Sequence, residues 1–336
     1  MDFLELLILI VLAPLLALVL VTLRAIFVMP LVGALVRFRA NYTPRGVGLD
    51  EEDARVGPVV NSLWAMMIRV KNLEGWDGMY KGVIPYTCLH TLTTSLVFIF
   101  LGATVSILPS GTLAVPDPSG IQMGFVTVFL ALITVPGTIL INRAITTPYQ
   151  LPYREKRSLQ QSLQLLLTPY EYRKPWILWL TPGLLAITAI YVGWTVLLMR
   201  IMRNAIVGEA WSNANRGASD EQDEQLFANV STFRLIVFFL FQGLSAIILT
   251  PLEVMTTRLS LQRNRDPSDP SATEEISGEV PFIAEGEDVV GYRDAGEAPY
   301  VGMIDCTRKM LEEEGWGAFM RGWWITLGTN LIRGFP

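Results

Sequence analysis

The sequence predicts an all-α membrane protein built from repeated pairs of helices. Three observations predict it. The chain is 51% hydrophobic and 17% charged, with a mean hydropathy of +0.41, whereas soluble domains carry about 25% charged residues. Uncharged runs recur at Val83–Pro116, Pro175–Met199 and Leu235–Leu252, and about 20 apolar residues cross a bilayer. One phrase also occurs twice, Glu74-Gly75-Trp76-Asp77-Gly78-Met79-Tyr80-Lys81-Gly82 and Glu314-Gly315-Trp316-Gly317-Ala318-Phe319-Met320-Arg321-Gly322.

The first segment runs from about Phe3 to Val36. Asp2 and Glu5 precede its apolar run and no base does, so it reads as a retained membrane helix and not a signal peptide. Pro30 lies near its end, where proline kinks or stops a helix. Val60, Leu63, Trp64, Met67 and Val70 have helical spacing and predict a short amphipathic helix ended by Gly75 and Gly78. Segment two starts after Gly82, with a turn at Pro109-Ser110-Gly111. Segment three, about Ile121 to Ile141, contains Pro136-Gly137, which membrane helices tolerate when neighbours satisfy the freed backbone groups. Leu159, Leu163, Leu166 and Leu167 predict a second amphipathic stretch.

Segment four is Pro175–Met199, closed by Arg200 and Arg203, and a polar loop follows it. Segment five is Leu235–Leu252 and ends in the motif that Pro251 opens. Residues 264–299 hold ten acids against Arg265 and Arg293, a composition that buries too little apolar surface to fold alone. This insertion contributes −8 to a net charge of −5, so the remainder of the chain is +3. Ile304, Met310 and Leu311 predict a third short helix. The sixth segment, from Gly322 to Pro336, is shorter than a span and reads as truncated. The resulting division is 1–118, 119–208, a loop at 209–229, and 230–336.

Lys and Arg number 7, 6 and 7 in residues 37–82, 143–175 and 253–321, against none in 106–120 and four in 200–234. The richer regions alternate, which puts them on one side, the compartment interior. Trp64, Trp76, Trp176, Trp179, Trp316, Trp323 and Trp324 cluster near predicted span ends, as aromatic belts do. A single His90 allows no His-based metal cluster. Cys88 and Cys306 make no disulfide framework and read as two small buried residues. No nucleophile–base pair stands out, so no catalytic residue, enzyme activity, metal or cofactor is expected. No basic patch alternates with stacking aromatics, so nucleic acid is not an expected partner.

These motifs resemble those of the mitochondrial carrier family, three-repeat, six-helix solute exchangers. In that family a Pro-x-acid-x-x-base-x-base motif closes each odd helix. An acid-Gly-x4-aromatic-base-Gly phrase precedes each even one. Glu74, Gly75, Tyr80, Lys81 and Gly82 match the second phrase, as do Glu314, Gly315, Arg321 and Gly322, with Met320 replacing the aromatic. Pro251, Glu253 and Arg258 match the first, with Thr256 departing. Unit one keeps Pro30 and Arg37 but has Val32 and Leu35 at the charged places. Unit two is assigned Pro148, with Gln150 and Tyr153 at those places and a faint Glu-Gly phrase around Pro169–Pro175.

The resemblance implies a divergent carrier fold with degenerate repeats. It implies alternating-access transport of a small, anionic solute across a mitochondrial membrane, the inner ahead of the outer. In carriers the acids and bases pair across the matrix mouth as a gate. Here Glu253 alone survives of six such charges, and it is expected to find a donor in Gln150 or Tyr153, or else to sit in interfacial water. Asn330-Leu331-Ile332-Arg333-Gly334 resembles the substrate-contact stretch of the sixth helix. Arg333 is then a candidate anion ligand through its planar fork, or a flanking arginine that snorkels. His90 is a second intramembrane candidate, or a bond to a neighbouring helix. Asn142 and Arg143 read as interface anchors. Membrane lipids, cardiolipin among them, and the solute are the implied partners, with the acidic 264–299 segment a docking site for a protein. The alternative is a carrier-fold adaptor of the outer membrane that no longer transports and serves fusion or lipid and protein handling.

Overall fold

The computed structural model describes residues 3–44, 60, 62–102, 106–107, 113–114, 119–149, 151, 158–208, 231–265, 289–293 and 298–334. The first helix, α1 (Phe3–Ala40), contains Pro14 and Pro30 and ends on Arg37 and Arg39, cations placed where the helix dipole favours them. Helix α2 (Leu63–Met79) starts under a Ser62 cap, whose hydroxyl accepts from the Ala65 N–H at 3.1 Å. It runs past Gly75, which kinks the helix at φ +68° where a stop was expected. Helix α3 (Val83–Gly102) follows. The short strands β1 (Ser106–Ile107) and β2 (Leu113–Ala114) then pair antiparallel, Ser106 opposite Ala114. The turn expected at 109–111 lies outside the described residues.

A Ser119–Gln122 capping box opens α4 (Gly120–Thr146), which continues through Pro136 to five residues beyond the expected end. The short helices α5 (Ser158–Leu166) and α6 (Pro169–Arg173) lead into a 3-10 turn at Pro175–Leu180. Segment four therefore becomes α-helical only at α7 (Leu184–Val192), after Pro182 and the left-handed Gly183. A π-helical stretch, Gly193–Leu198, separates α7 from α8 (Met199–Ile206). The longest later helix is α9 (Thr232–Leu261), with Pro251 inside it. The described chain closes with α10 (Met303–Glu313), α11 (Trp316–Phe319) and α12 (Trp323–Gly334).

Among the described residues, five stretches are long and apolar enough to span a membrane: Pro14–Ala40, Val83–Phe100, Gly120–Thr146, Leu184–Ile206 and Thr232–Leu261. They pack in chain order, α1 on α3, α3 on α4, α4 on α7, α7 on α9, and α9 on α12. In addition α1, α4 and α9 touch one another. The largest core joins Val135 and Ile139 of α4, Leu184 and Ile187 of α7, Leu249 and Leu259 of α9, and Met310 of α10. Phe27, Ile121, Phe125, Leu240 and Leu244 stand on the outside, an apolar surface suited to lipid and too extensive for a soluble monomer.

The two cysteines differ, contrary to the expectation that both are buried. Cys88 is exposed on the apolar α3, and Cys306 is fully buried. Burial pushes the Cys306 thiol up to about 12.

Candidate functional site

One arrangement recurs at the C-terminal ends of α1, α4 and α9. Each helix carries a proline and, seven residues later, an arginine: Pro30 and Arg37, Pro136 and Arg143, Pro251 and Arg258. Seven residues is close to two helical turns, so proline and arginine share a face. Each arginine is buried against a glutamate from the following segment. Arg37 meets Glu74 at 2.5 Å, Arg143 meets Glu171 at 2.6 Å, and Arg258 meets Glu314 at 2.8 Å. The side chains are at most 4% exposed.

Backbone carbonyls complete each set. Arg143 donates to Ser260 O, Leu166 O and Gln262 O, tying α4 to α9. Arg258 donates to Arg39 O and Asn41 O, each at 2.8 Å, tying α9 to α1. Lys81 joins Glu74 at 2.7 Å and reaches Thr147 O, tying the α2–α3 junction to α4. Burial lowers the Lys81 ammonium while Glu74 opposes it. Burial pushes the Glu171 carboxyl up, but Arg143 and the backbone N–H groups of Asn264 and Thr168 outweigh it and hold it below the usual carboxylate range. Burial, then Arg258, bring Arg321 down to about 10 against the pull of Glu314.

The structure corrects the assignment of unit two. Pro148 lies beyond the end of α4, after the extended cap residue Thr147, and Gln150 and Tyr153 fall outside the described residues. The arginine in the recurring position is Arg143, and Asn142 and Arg143 are buried, not interfacial anchors. Asn142 donates to Ser260 Oγ at 2.7 Å.

Glycines with positive φ precede three helices, Gly82 before α3, Gly183 before α7 and Gly322 before α12. At Gly322 a Cβ would stand 2.4 Å from Leu35 Cδ1, and at Gly82 it would stand 2.8 Å from Ile145 Cγ1. Gly75 and Gly315 also have positive φ.

Glu253 does not sit in interfacial water. Arg39 meets its carboxylate at 2.6 Å, Thr326 Oγ1 donates to it at 2.6 Å, and Tyr191 Oη donates at 2.8 Å. The donors come from α1, α12 and α7. A five-residue strap crosses the same end. Gly291 N–H donates to Asn41 Oδ1 and its carbonyl accepts from Tyr42 N–H, each at 2.9 Å. Tyr292 Oη donates to Thr146 O at 2.6 Å, and Arg293 pairs with Glu313 at 2.7 Å. Val289 and Val290 pack among Ala34, Leu35 and Phe38. The remainder of the acidic insertion, 266–288 and 294–297, lies outside the described residues.

Toward the other end lies a cavity of about 170 Å³, lined by Met123 of α4, Thr195 and Val196 of the π-helical stretch, Met199, Arg200 and Arg203 of α8, Phe238 and Gln242 of α9, and Asn330 of α12. His90 is not among its lining residues. It lies half-buried on α3 with its ring 4.1 Å from Tyr86. The side chain of Arg333 is outside the described residues, although its backbone continues α12. Among the described residues no group of three or more His, Cys, Asp or Glu side chains is placed to hold a metal ion.

Residues 239–335 match the family model for mitochondrial carrier protein. Over that stretch the chain is similar to the mitochondrial carrier family. No curated protein matches it. The matched stretch takes in Gln242, Pro251, Glu253, Arg258, Glu314 and Asn330, so it includes one of the three recurring arginine–glutamate pairs and part of the cavity wall. Among the described residues, five helices are long and apolar enough to cross a membrane, as a multi-pass membrane protein would need. Sequence reasoning missed Arg143, Glu171, Arg39, Arg200, Arg203 and Gln242 as site residues. The constant seven-residue step from proline to arginine would have found Arg143.

Proposed function

We propose that the chain carries a small anionic solute across a mitochondrial membrane by alternating access. In this reading the chain divides into three carrier repeats, residues 1–118, 119–208 and 230–336, with 209–229 as a connecting loop. Each repeat contributes one proline-bearing helix and one helix that starts at a left-handed glycine. The single observation that carries the reading is the asymmetry along the helix axes. One end is drawn together by three buried arginine–glutamate pairs and the Glu253 cluster, while the other opens on a cavity that presents two arginines.

Alternating access then requires the Glu253 contacts to part and the strap to leave. Glu253 replaces a six-charge gate by one carboxylate with three donors, a set weak enough to open in each cycle. The inner membrane is the setting that fits a solute exchanger. Purified protein in liposomes, loaded in turn with carboxylates, nucleotides, amino acids and organic phosphates, tests the proposal by uptake of labelled solute. Exchange of an anion that stops on mutation of Arg39 or Glu253 supports it. Failure of every class with folded protein sinks it.

The strap favours a second reading, a non-transporting adaptor of the outer membrane. Residues 289–293 close the mouth with contacts that resemble permanent packing. Protease added to intact mitochondria separates the two readings. Cleavage within 264–299 while the inner membrane is sealed contradicts the matrix-facing carrier and supports the adaptor.

A further inference from the structure

We propose that the converging end opens by a bend of α9 at Pro251, which releases Glu253. Tyr80 and Trp179 are positioning residues that hold the matching kinks of α1 and α4, and the third repeat has Met320 where a donor would stand. The step from this bend to solute movement rests on the transport reading; the hinge itself does not.

A proline has no N–H to give to the carbonyl four residues before it, so each helical proline frees one acceptor. Inside a membrane no water meets that acceptor, and a neighbouring group must. The freed carbonyls belong to Ile26 before Pro30, Leu132 before Pro136 and Ile247 before Pro251. Tyr80 Oη donates to Ile26 O at 3.0 Å, and Trp179 Nε1 donates to Leu132 O at 2.7 Å. Two unlike side chains in two repeats thus meet the one carbonyl that each proline releases. Tyr80 caps the end of α2 and Trp179 lies in the 3-10 turn before α7. Each bond therefore ties a proline-bearing helix to the segment that leads into the next spanning helix, and the kink cannot change without breaking it.

The third repeat keeps the geometry and loses the donor. Met320 stands two residues before the left-handed Gly322, as Tyr80 stands two before Gly82. Its backbone matches as well, φ −97° and ψ 14° against φ −100° and ψ 7° for Tyr80. A thioether has no hydrogen to donate, and among the described residues no side chain donates to Ile247 O. The hydroxyl beside Pro251, that of Thr250, donates to Ala246 O at 2.6 Å within the same helix. Such a bond travels with α9, ties it to no other element and favours bending. Glu253 lies two residues past Pro251, and its donors Arg39, Tyr191 and Thr326 stand on α1, α7 and α12. A swing of α9 at Pro251 withdraws the carboxylate from all three at once.

The test supplies the missing donor. Full-length protein in neutral-lipid nanodiscs is compared with Met320→Tyr, Met320→Phe, Tyr80→Phe and Trp179→Phe. Amide hydrogen exchange is read within one turn of Pro30, Pro136 and Pro251. Liposome exchange of a labelled anion gives turnover and KM for the same proteins.

Met320→Tyr should slow amide exchange around Pro251 about fivefold, the worth of one hydrogen bond, and Met320→Phe should leave it unchanged. Tyr80→Phe should speed exchange around Pro30 alone and Trp179→Phe around Pro136 alone, each about fivefold. Turnover should fall in Met320→Tyr with KM unchanged. Amides around Pro251 that ignore the added hydroxyl, or that slow as much in Met320→Phe, overturn the proposal. Turnover that stays the same while those amides slow also overturns it, because Glu253 is then released in some other way. Should Trp179→Phe fail to fold, the Met320 pair and Tyr80→Phe carry the test. The expected amide pattern in a protein that moves no solute refutes transport and leaves the hinge standing. Solute movement with amides indifferent to Met320→Tyr refutes the hinge and leaves transport standing.

Discussion

Where α1, α4 and α9 converge, Arg37, Arg143 and Arg258 each have a buried glutamate partner and at least one backbone carbonyl. Toward the opposite end, two equally buried amides, on Gln242 and Asn330, keep an atom without a partner. The two regions share α4 and α9. From Met123 to Arg143 is roughly 30 Å along α4, at 1.5 Å per residue. The contrast teaches where each region's polar groups act. At the converging end they act on one another and fix the shape. At the cavity end one atom of each amide is left without a hydrogen-bond partner, as Arg37 Nη1 is at the converging end. Low dielectric raises the stakes in both places, because an unpaired group is costly in either.

Breaking the converging end should cost most. Arg143→Met leaves Glu171, which is fully buried, without its cation, a loss of about 3–5 kcal/mol visible as a large drop in melting temperature in detergent. Arg203→Met at the cavity end, where the side chain is partly exposed, should cost under about 1 kcal/mol. Equal losses would erase the distinction between the ends.

A smaller effect comes from the glycines. Gly322→Ala meets both a positive φ and Leu35 Cδ1 at 2.4 Å, for a cost of about 2–3 kcal/mol. Gly75→Ala meets the positive φ with nothing within 4 Å and should cost about 1–2 kcal/mol. Denaturation of the two variants side by side separates packing from backbone strain.

The strap comes next. Tyr292→Phe deletes one hydrogen bond to Thr146 O, worth about 1 kcal/mol, and hydrogen exchange at Gly291 N–H should accelerate about fivefold with the core unchanged.

Acidification gives the gentlest test. The Glu171 carboxyl is held below its ordinary value in the folded chain. The stability it contributes is therefore present above its unfolded value and is lost as pH falls through the folded one. Thermal melts across the acidic range should show a slope that flattens in Glu171→Gln, while cavity variants keep the slope.

Much of this was legible in the sequence, and the reasons for the gaps are physical. Membrane-length apolar runs announced the helices, and the phrase from Glu74 to Gly82 and its copy from Glu314 to Gly322 announced two of the helix junctions. The second unit hid because Pro148 mimicked a helix-closing proline, while the long apolar run of α4 absorbed Pro136. Its glutamate also lacks a following glycine, and twelve residues separate Glu171 from Gly183 where eight separate Glu74 from Gly82. The Arg39–Glu253 pair spans 214 positions, a separation on which local pattern carries no information. Arg200 and Arg203 looked like membrane-edge cations, because a snorkelling arginine and an inward one have the same neighbours in sequence. The π-helical stretch Gly193–Leu198 that precedes them likewise gives no sign of itself in its six residues.

The strap has one more consequence. Residues 289–293 are joined covalently to α9 through residues 262–288 and to α10 through residues 294–302. A plug in the same chain as its socket faces it at an effective concentration set by the connection and not by the protein's own concentration. Its return after release is then a unimolecular step. Closure would be independent of how many copies of the protein the membrane holds, and an added peptide of the same sequence would have to exceed that effective concentration to compete with it.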